Sequence, residues 1–119
     1  MIVKNKKDSI DIPNGLIELD SDFAAYYGFT SEYFYEDTYL VRNSSLKQVI
    51  MPMLISNRPG EGHFSNAVKK MLQDRIRVLI PTPVPKMQEI LTAWGFDVIW
   101  IPHEGIEYWV YPPYEAKVV

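Results

Sequence analysis

The sequence predicts a single α/β domain with a mixed, mostly antiparallel sheet that is splayed at two central parallel strands and flanked by helices. Three observations support this prediction. An apolar segment, 46–55, leads through a glycine-containing turn into an amphipathic helix, 64–74; a short apolar strand, 76–80, follows; and a second helix then precedes two aromatic strands. Parallel strands joined by a helix form a right-handed βαβ unit, which defines the centre of the sheet.

The first part of the chain shows only a weak alternation of apolar and polar residues. Residues 1–37 are interpreted as a less well-defined N-terminal region, in which Pro13-Asn14-Gly15 marks a turn between two short strands or within a loose arm. Ser21 can cap a short helix over 22–27, and Gly28 is suited to its end.

The first hairpin is predicted from two apolar segments. The strand 38–42 is expected to pair with 46–55 across the turn Asn43-Ser44-Ser45. Pro52 has no N–H group to donate to a ladder, so we expect a bulge or a strand end near this residue.

The two longer helices are predicted from their apolar stripes. Helix 64–74 has apolar side chains at helical spacing, with lysines on the opposite side. For the second helix, Thr82 is the predicted cap and Pro83 the first residue, while Gly95 is suited to a left-handed stop. The second stripe consists of Met87, Ile90, Leu91 and Trp94.

The last third of the chain is predicted to close the sheet. Strands 98–101 and 106–111 flank a polar turn and form a hairpin. Pro112-Pro113 ends the sheet, so 112–119 is interpreted as the tail of one domain covering 1–119. The tryptophans lie on apolar faces of their elements, which assigns them to the core: Trp94, Trp100 and Trp109.

Composition excludes several kinds of chemistry. The formal net charge of -3 over 119 residues gives no general attraction to nucleic acid or to an anionic membrane. The absence of cysteine rules out disulfides and thiolate ligands, and two histidines forty residues apart do not predict a metal site. With no signal peptide and no long apolar stretch visible, we expect a cytoplasmic protein without membrane or nucleic-acid partners.

The turn Asn57-Arg58-Pro59-Gly60-Glu61-Gly62 is the strongest candidate site. It follows a strand and precedes a helix, so backbone N–H groups of its glycines and of His63 and Phe64 can point at a pyrophosphate, aided by the helix dipole. The alternative is a plain loop in which glycine only permits unusual backbone angles.

The order β-β-α-β-α-β-β, with this turn before the first long helix and Gly95-Phe96 after the second, resembles the GNAT superfamily of N-acetyltransferases over about 38–111. In that family a Gln/Arg-x-x-Gly-x-Gly/Ala turn holds the pyrophosphate of acetyl-CoA. Segment 57–62 matches it at both glycines, whereas Asn57 departs from the usual Gln or Arg and the neighbouring Arg58 would supply the positive charge. The resemblance implies acetyl-CoA as cofactor. The cofactor-binding residues it implies are Leu54, Ile55, Asn57, Arg58, Gly60, Gly62, His63 and Phe64.

The resemblance further implies an acyl-CoA-dependent N-acyltransferase that moves an acetyl group to an amine. Glu36 and Asp37 precede the strand 38–42, where a carboxylate would serve as general base or hold an ammonium group; the alternative is a pair of solvated acids. The predicted partners are acetyl-CoA and an amine-bearing small molecule or protein. A homodimer is left open.

Two departures from the family pattern motivate a second hypothesis. Leu91 stands where many members carry the tyrosine that protonates the leaving thiolate, and Glu61 places a carboxylate between the two glycines. The chain would then be a catalytically inactive GNAT-like structural or inhibitory protein acting through protein contacts. Small GNAT-like proteins of tailed phages have a similar closing pattern.

Overall fold

Six strands and three helices make up the described part of the chain. The computed structural model describes residues 12–42, 45–53, 55–57 and 60–113. The strands are β1 (Gly15–Glu18), β2 (Tyr39–Arg42), β3 (Gln48–Met53), β4 (Arg77–Pro81), β5 (Asp97–Ile101) and β6 (Ile106–Tyr111). The helices are α1 (Asp22–Tyr26), α2 (His63–Gln73) and α3 (Pro85–Ala93).

The strands form one mixed sheet in the order β1-β2-β3-β4-β6-β5. β3 and β4 are parallel, and the other four neighbouring pairs are antiparallel. The prediction of a single α/β domain with a mostly antiparallel sheet is therefore confirmed. The last strand, β6, lies between β4 and β5, so the closing hairpin joins the sheet through its second strand.

The N-terminal region contributes β1 and α1 to this fold. The Ser21 hydroxyl accepts a hydrogen bond from the Ala24 N–H at 3.4 Å and donates one to the Glu18 carbonyl at 2.7 Å. The predicted cap and short helix are therefore confirmed, with the helix ending one residue early. Residues 1–11 lie outside the described residues. So do parts of the predicted turn at 43–45 and of the predicted tail at 112–119.

The predicted start of α3 is wrong. Val84, not Thr82, is the N-cap residue, and Pro85 is the first helical residue. A residue before proline is disfavoured in the helical region, and Val84 has a ψ of 157°. Thr82 follows the last residue of β4 directly, and its N–H donates to the Glu107 carbonyl of β6 at 2.8 Å instead of starting the helix.

All three helices pack on one face of the sheet. The main core contains buried side chains from every helix, such as Ala24, Val68 and Leu91, together with inward-facing strand residues. A smaller cluster on the opposite face consists of strand residues only: Ile50, Leu79 and Val110. The helical layer therefore lies on one side of the sheet in the described part of the chain.

The assignment of all three tryptophans to the core is wrong for one of them. Trp109 is buried and Trp94 packs against the main core, but Trp100 is 59% exposed. Trp100 lies on β5, which is one of the two edge strands and therefore has a neighbouring strand on one side only.

Candidate functional site: a cleft at the ends of the parallel strands

The two parallel strands pair over only part of their length. Their register joins Gln48, Val49 and Ile50 to Arg77, Val78 and Leu79. Beyond this point a space of about 180 Å³ lies between the strand ends, lined by 51–53 on one side and 80–84 on the other. Pro52 and Pro81 stand on either side of the space, and neither has an N–H group for a ladder. The strand ends therefore leave a gap.

A larger cavity adjoins this gap. It has a volume of about 490 Å³ and shares Val84 and Met87 with the lining of the gap. Its remaining lining residues are Ser56, Gly60, Gly62, His63, Phe64, Ser65, Lys86 and Ile90. We call the gap and the cavity together the cleft.

The N-terminus of α2 opens into the cleft. Gly62 is its N-cap, with a φ of +81°, and no described side chain caps this helix end. The first intrahelical bond runs from the Asn66 N–H to the Gly62 carbonyl. The N–H groups of His63, Phe64 and Ser65 precede it and so have no partner within the helix. Such a helix end favours an anion.

The N-terminus of α3 lies at the same cleft. Here too none of the described side chains caps the helix. Pro85 has no N–H group, and the first intrahelical bond runs from the Gln88 N–H to the Val84 carbonyl. Lys86 adds an exposed ammonium group to the lining. Two positive helix ends and a cation thus face one cavity, which makes the cleft suited to an anionic group.

His63 is held in a fixed position at the start of α2. Its ring stacks on Tyr33, with centroids 3.7 Å apart and an angle of 14° between the planes. Its Nε2 lies 3.2 Å from Oε1 of Glu61. The Glu61 carboxylate therefore has a side-chain partner at the entrance of α2.

The structure brings together four of the predicted cofactor-binding residues. Gly60, Gly62, His63 and Phe64 all line the cavity. Leu54 and Arg58 lie outside the described residues, so their predicted roles stay predictions. Sequence reasoning missed Lys86; the signal was Pro85, which places Lys86 in the first turn of α3.

Ile55 and Asn57 are tied to the N-terminal region. The Ile55 N–H donates to Oγ1 of Thr38 at 2.9 Å, and its carbonyl accepts from the Tyr35 N–H at 2.8 Å. The Asn57 N–H donates to the Tyr33 carbonyl at 3.0 Å. For Ile55 to bind a cofactor through its backbone N–H and C=O groups, the chain would have to release these bonds.

Glu36 and Asp37 lie in a separate cavity. Both are exposed and line a space of about 480 Å³ together with Glu18 and Asp20. None of its lining residues lines the cleft. In the sequence, the two acids nevertheless lie between Tyr35 and Thr38, and both of these residues form hydrogen bonds with the backbone of Ile55. These hydrogen bonds link the acidic turn to the chain just after β3.

The Leu91 side chain is not accessible to a substrate. Its side chain is fully buried in the main core, on the stripe of α3 that faces the sheet. Position 91, where the resemblance to GNAT proteins implies a tyrosine acid, is thus a packing position. Two hydroxyls lie closer to the cleft, those of Ser65 and Thr82, which line its two parts.

Comparisons with family models, with curated proteins and with solved structures find no match to this chain. In the described ranges no three histidine or acidic side chains are grouped so that they could hold a metal ion. Over the same ranges no helix is both long and apolar enough to span a bilayer.

Proposed function

We propose that this chain is an acyl-CoA-dependent N-acetyltransferase that transfers an acetyl group from acetyl-CoA to an amine. The observation that supports this most is the cleft, in which two helix N-termini without side-chain caps and Lys86 adjoin the gap between β3 and β4. The order of the elements and the glycine turn support the same GNAT-like interpretation.

The two compartments of the cleft fit the two parts of the ligand. Acetyl-CoA has an anionic diphosphate and a narrow, uncharged pantetheine arm. The larger compartment offers the amides of His63 to Ser65 and the Lys86 ammonium to the diphosphate. The smaller compartment has apolar walls, including Met51, Ile80 and Met87, for the arm.

The reaction requires no covalent intermediate. The acceptor nitrogen forms a bond to the thioester carbonyl carbon, and the C–S bond breaks to release the thiolate. Backbone N–H groups of β3 would stabilise the oxyanion, and the close positioning of the two reactants would supply much of the rate. Because Leu91 donates no proton, water protonates the thiolate.

Glu36 and Asp37 are the proposed acceptor-side residues. Their carboxylates hold the ammonium form of the acceptor, and one of them takes its proton, so that the neutral amine then attacks the thioester. Their attachment to Ile55 fixes them relative to the end of β3. The amine-bearing acceptor, a small molecule or a protein, would approach from this side.

Calorimetric titration and thermal shift with acetyl-CoA test the proposal. Acetyl-CoA and CoA should both raise the melting temperature, because they bind the folded chain. Adenosine 3′,5′-bisphosphate tests the larger compartment alone, and S-acetylpantetheine tests the smaller one. The proposal fails if millimolar acetyl-CoA produces neither heat nor a shift.

A second candidate is a catalytically inactive protein that acts through protein contacts. The burial of Leu91 favours it, since no acid stands at the position where many family members have one. Acetyl transfer to a panel of small amines and lysine peptides separates the two candidates. Binding of acetyl-CoA with no transfer to any acceptor, including the chain's own lysines, would favour the inactive protein.

A further inference from the structure

We propose that two copies of the chain pair along β5 to form a homodimer with one continuous sheet. β5 is an edge strand of the sheet, and β6 is the only described strand that pairs with it. Alternate residues of an edge strand direct their N–H and C=O groups away from the sheet. These groups are suited to a partner that is itself a strand.

The side chains of β5 are apolar and exposed. Trp100 is 59% exposed and Val98 43% exposed, and the two lie on the same face because they are two residues apart. Large apolar side chains exposed together on a sheet edge are uncommon in monomers, because such an edge invites pairing.

β5 also lacks the features that usually protect an edge. Its only charged residue is Asp97, at its start, and it contains no proline. The opposite edge strand, β1, is shorter: it has four residues, ends in Glu18 and begins at Gly15, which has a φ of +78°. The exposed edge of β5 is therefore the better candidate for pairing.

The sequence of β5 is complementary to itself. In an antiparallel pair centred on Ile99, Val98 faces Trp100 of the partner subunit, and the symmetry repeats this contact. Cross-strand pairs of aromatic and β-branched residues stabilise sheets. Asp97 faces Ile101 of the partner subunit, so no two like charges oppose each other directly. This complementarity favours a second copy as the occupant.

The contact is small. Two five-residue strands bury less than the roughly 1,200 Å² of a standard interface, so the dimer should depend on protein concentration. Tryptophan is among the residues that contribute most to interfaces. Loss of the Trp100 side chain should therefore weaken the dimer by at least about tenfold.

Sedimentation velocity of the full chain over a wide concentration range tests the proposal. The wild type should shift from monomer to dimer as concentration rises. Trp100→Thr, which keeps a residue that favours strands, should move the transition to at least tenfold higher concentration. The matched control is Leu16→Thr, because Leu16 is 58% exposed on the other edge strand.

Three outcomes would overturn the proposal: a wild type that is monomeric at every concentration, an equal effect of Leu16→Thr, or no effect of Trp100→Thr. Circular dichroism checks that the variants fold. If Trp100→Thr does not fold, Val98→Thr provides the same test at the neighbouring position.

Discussion

The Tyr27 hydroxyl donates a hydrogen bond of 2.8 Å to Oδ2 of Asp74, joining two residues that are 47 positions apart. Tyr27 follows α1 and Asp74 follows α2, so the bond fastens the short N-terminal helix to the central one. Both residues are buried, with 1% and 7% of their surface exposed. Burial, and secondly the bond to Asp74, raises the pKa of Tyr27 well above its usual range.

Removing this hydroxyl should destabilise the fold. Tyr27→Phe leaves the buried Asp74 carboxylate without this donor, and we expect a loss of about 1–3 kcal/mol in the free energy of unfolding. Urea denaturation measures the loss. The matched control is Tyr26→Phe, because Tyr26 is 45% exposed and its change should stay within about 0.5 kcal/mol. Equal effects of the two variants would contradict the prediction.

The same bond predicts a loss of stability at alkaline pH. A tyrosine whose pKa is higher in the folded than in the unfolded state stabilises the fold fully below the unfolded value, near 10. This contribution decreases as the pH rises above 10, because the unfolded chain then releases the proton first. Urea denaturation at pH 8 to 11 should show a steeper decline for the wild type than for Tyr27→Phe. Parallel declines would count against the prediction.

A tyrosine at position 91 should not restore an acid. Leu91 is fully buried, so Leu91→Tyr places extra volume and a hydroxyl in a packed core. We expect a loss of about 1–3 kcal/mol from overpacking and no gain in acetyl transfer. Thermal denaturation and a transfer assay on the same variant measure both. A stable variant with faster transfer would show that position 91 reaches the thiolate.

A negative charge at Gly60 should weaken acetyl-CoA binding. Gly60 has a φ of +88°, and a Cβ built there meets no atom within 4 Å, so backbone strain is the main structural effect of a substitution. Asp and Asn both tolerate positive φ better than most residues. Gly60→Asp should therefore lower the affinity by at least about tenfold relative to Gly60→Asn, because only the aspartate repels the diphosphate. Calorimetry on the pair measures the difference, and equal affinities would place the diphosphate elsewhere.

The order of the elements could be predicted from local pattern. The stripe of α2 and the short apolar β4 have the periodicities of a buried helix face and a buried strand, and both elements lie within two residues of their predicted bounds. The start of α3 is harder to predict from the sequence, because both Pro83 and Pro85 are suited to the first helical position. The second of them, Pro85, begins the helix, since Val84 before it stays extended.

Long-range relationships could not be predicted in the same way. The apolar pattern around Trp100 is that of a core strand, and only the strand order shows that β5 is an edge. The bonds from Ile55 to Thr38 and Tyr35 depend on tertiary packing, so no local pattern reveals that its backbone has partners. The glycine turn was identified from sequence, whereas the second helix end at the cleft required the fold.

The position of β6 between β4 and β5 has a consequence for synthesis on the ribosome. β5 leaves the exit tunnel before β6 does, yet its neighbour in the sheet is β6. While only β5 has left the tunnel, the strand with which it pairs has not yet been released. The hairpin of β5 and β6 should therefore form as a local unit and then add to β4. Until that step, the edge of β4 that pairs with β6 is open, and an open apolar strand edge favours aggregation.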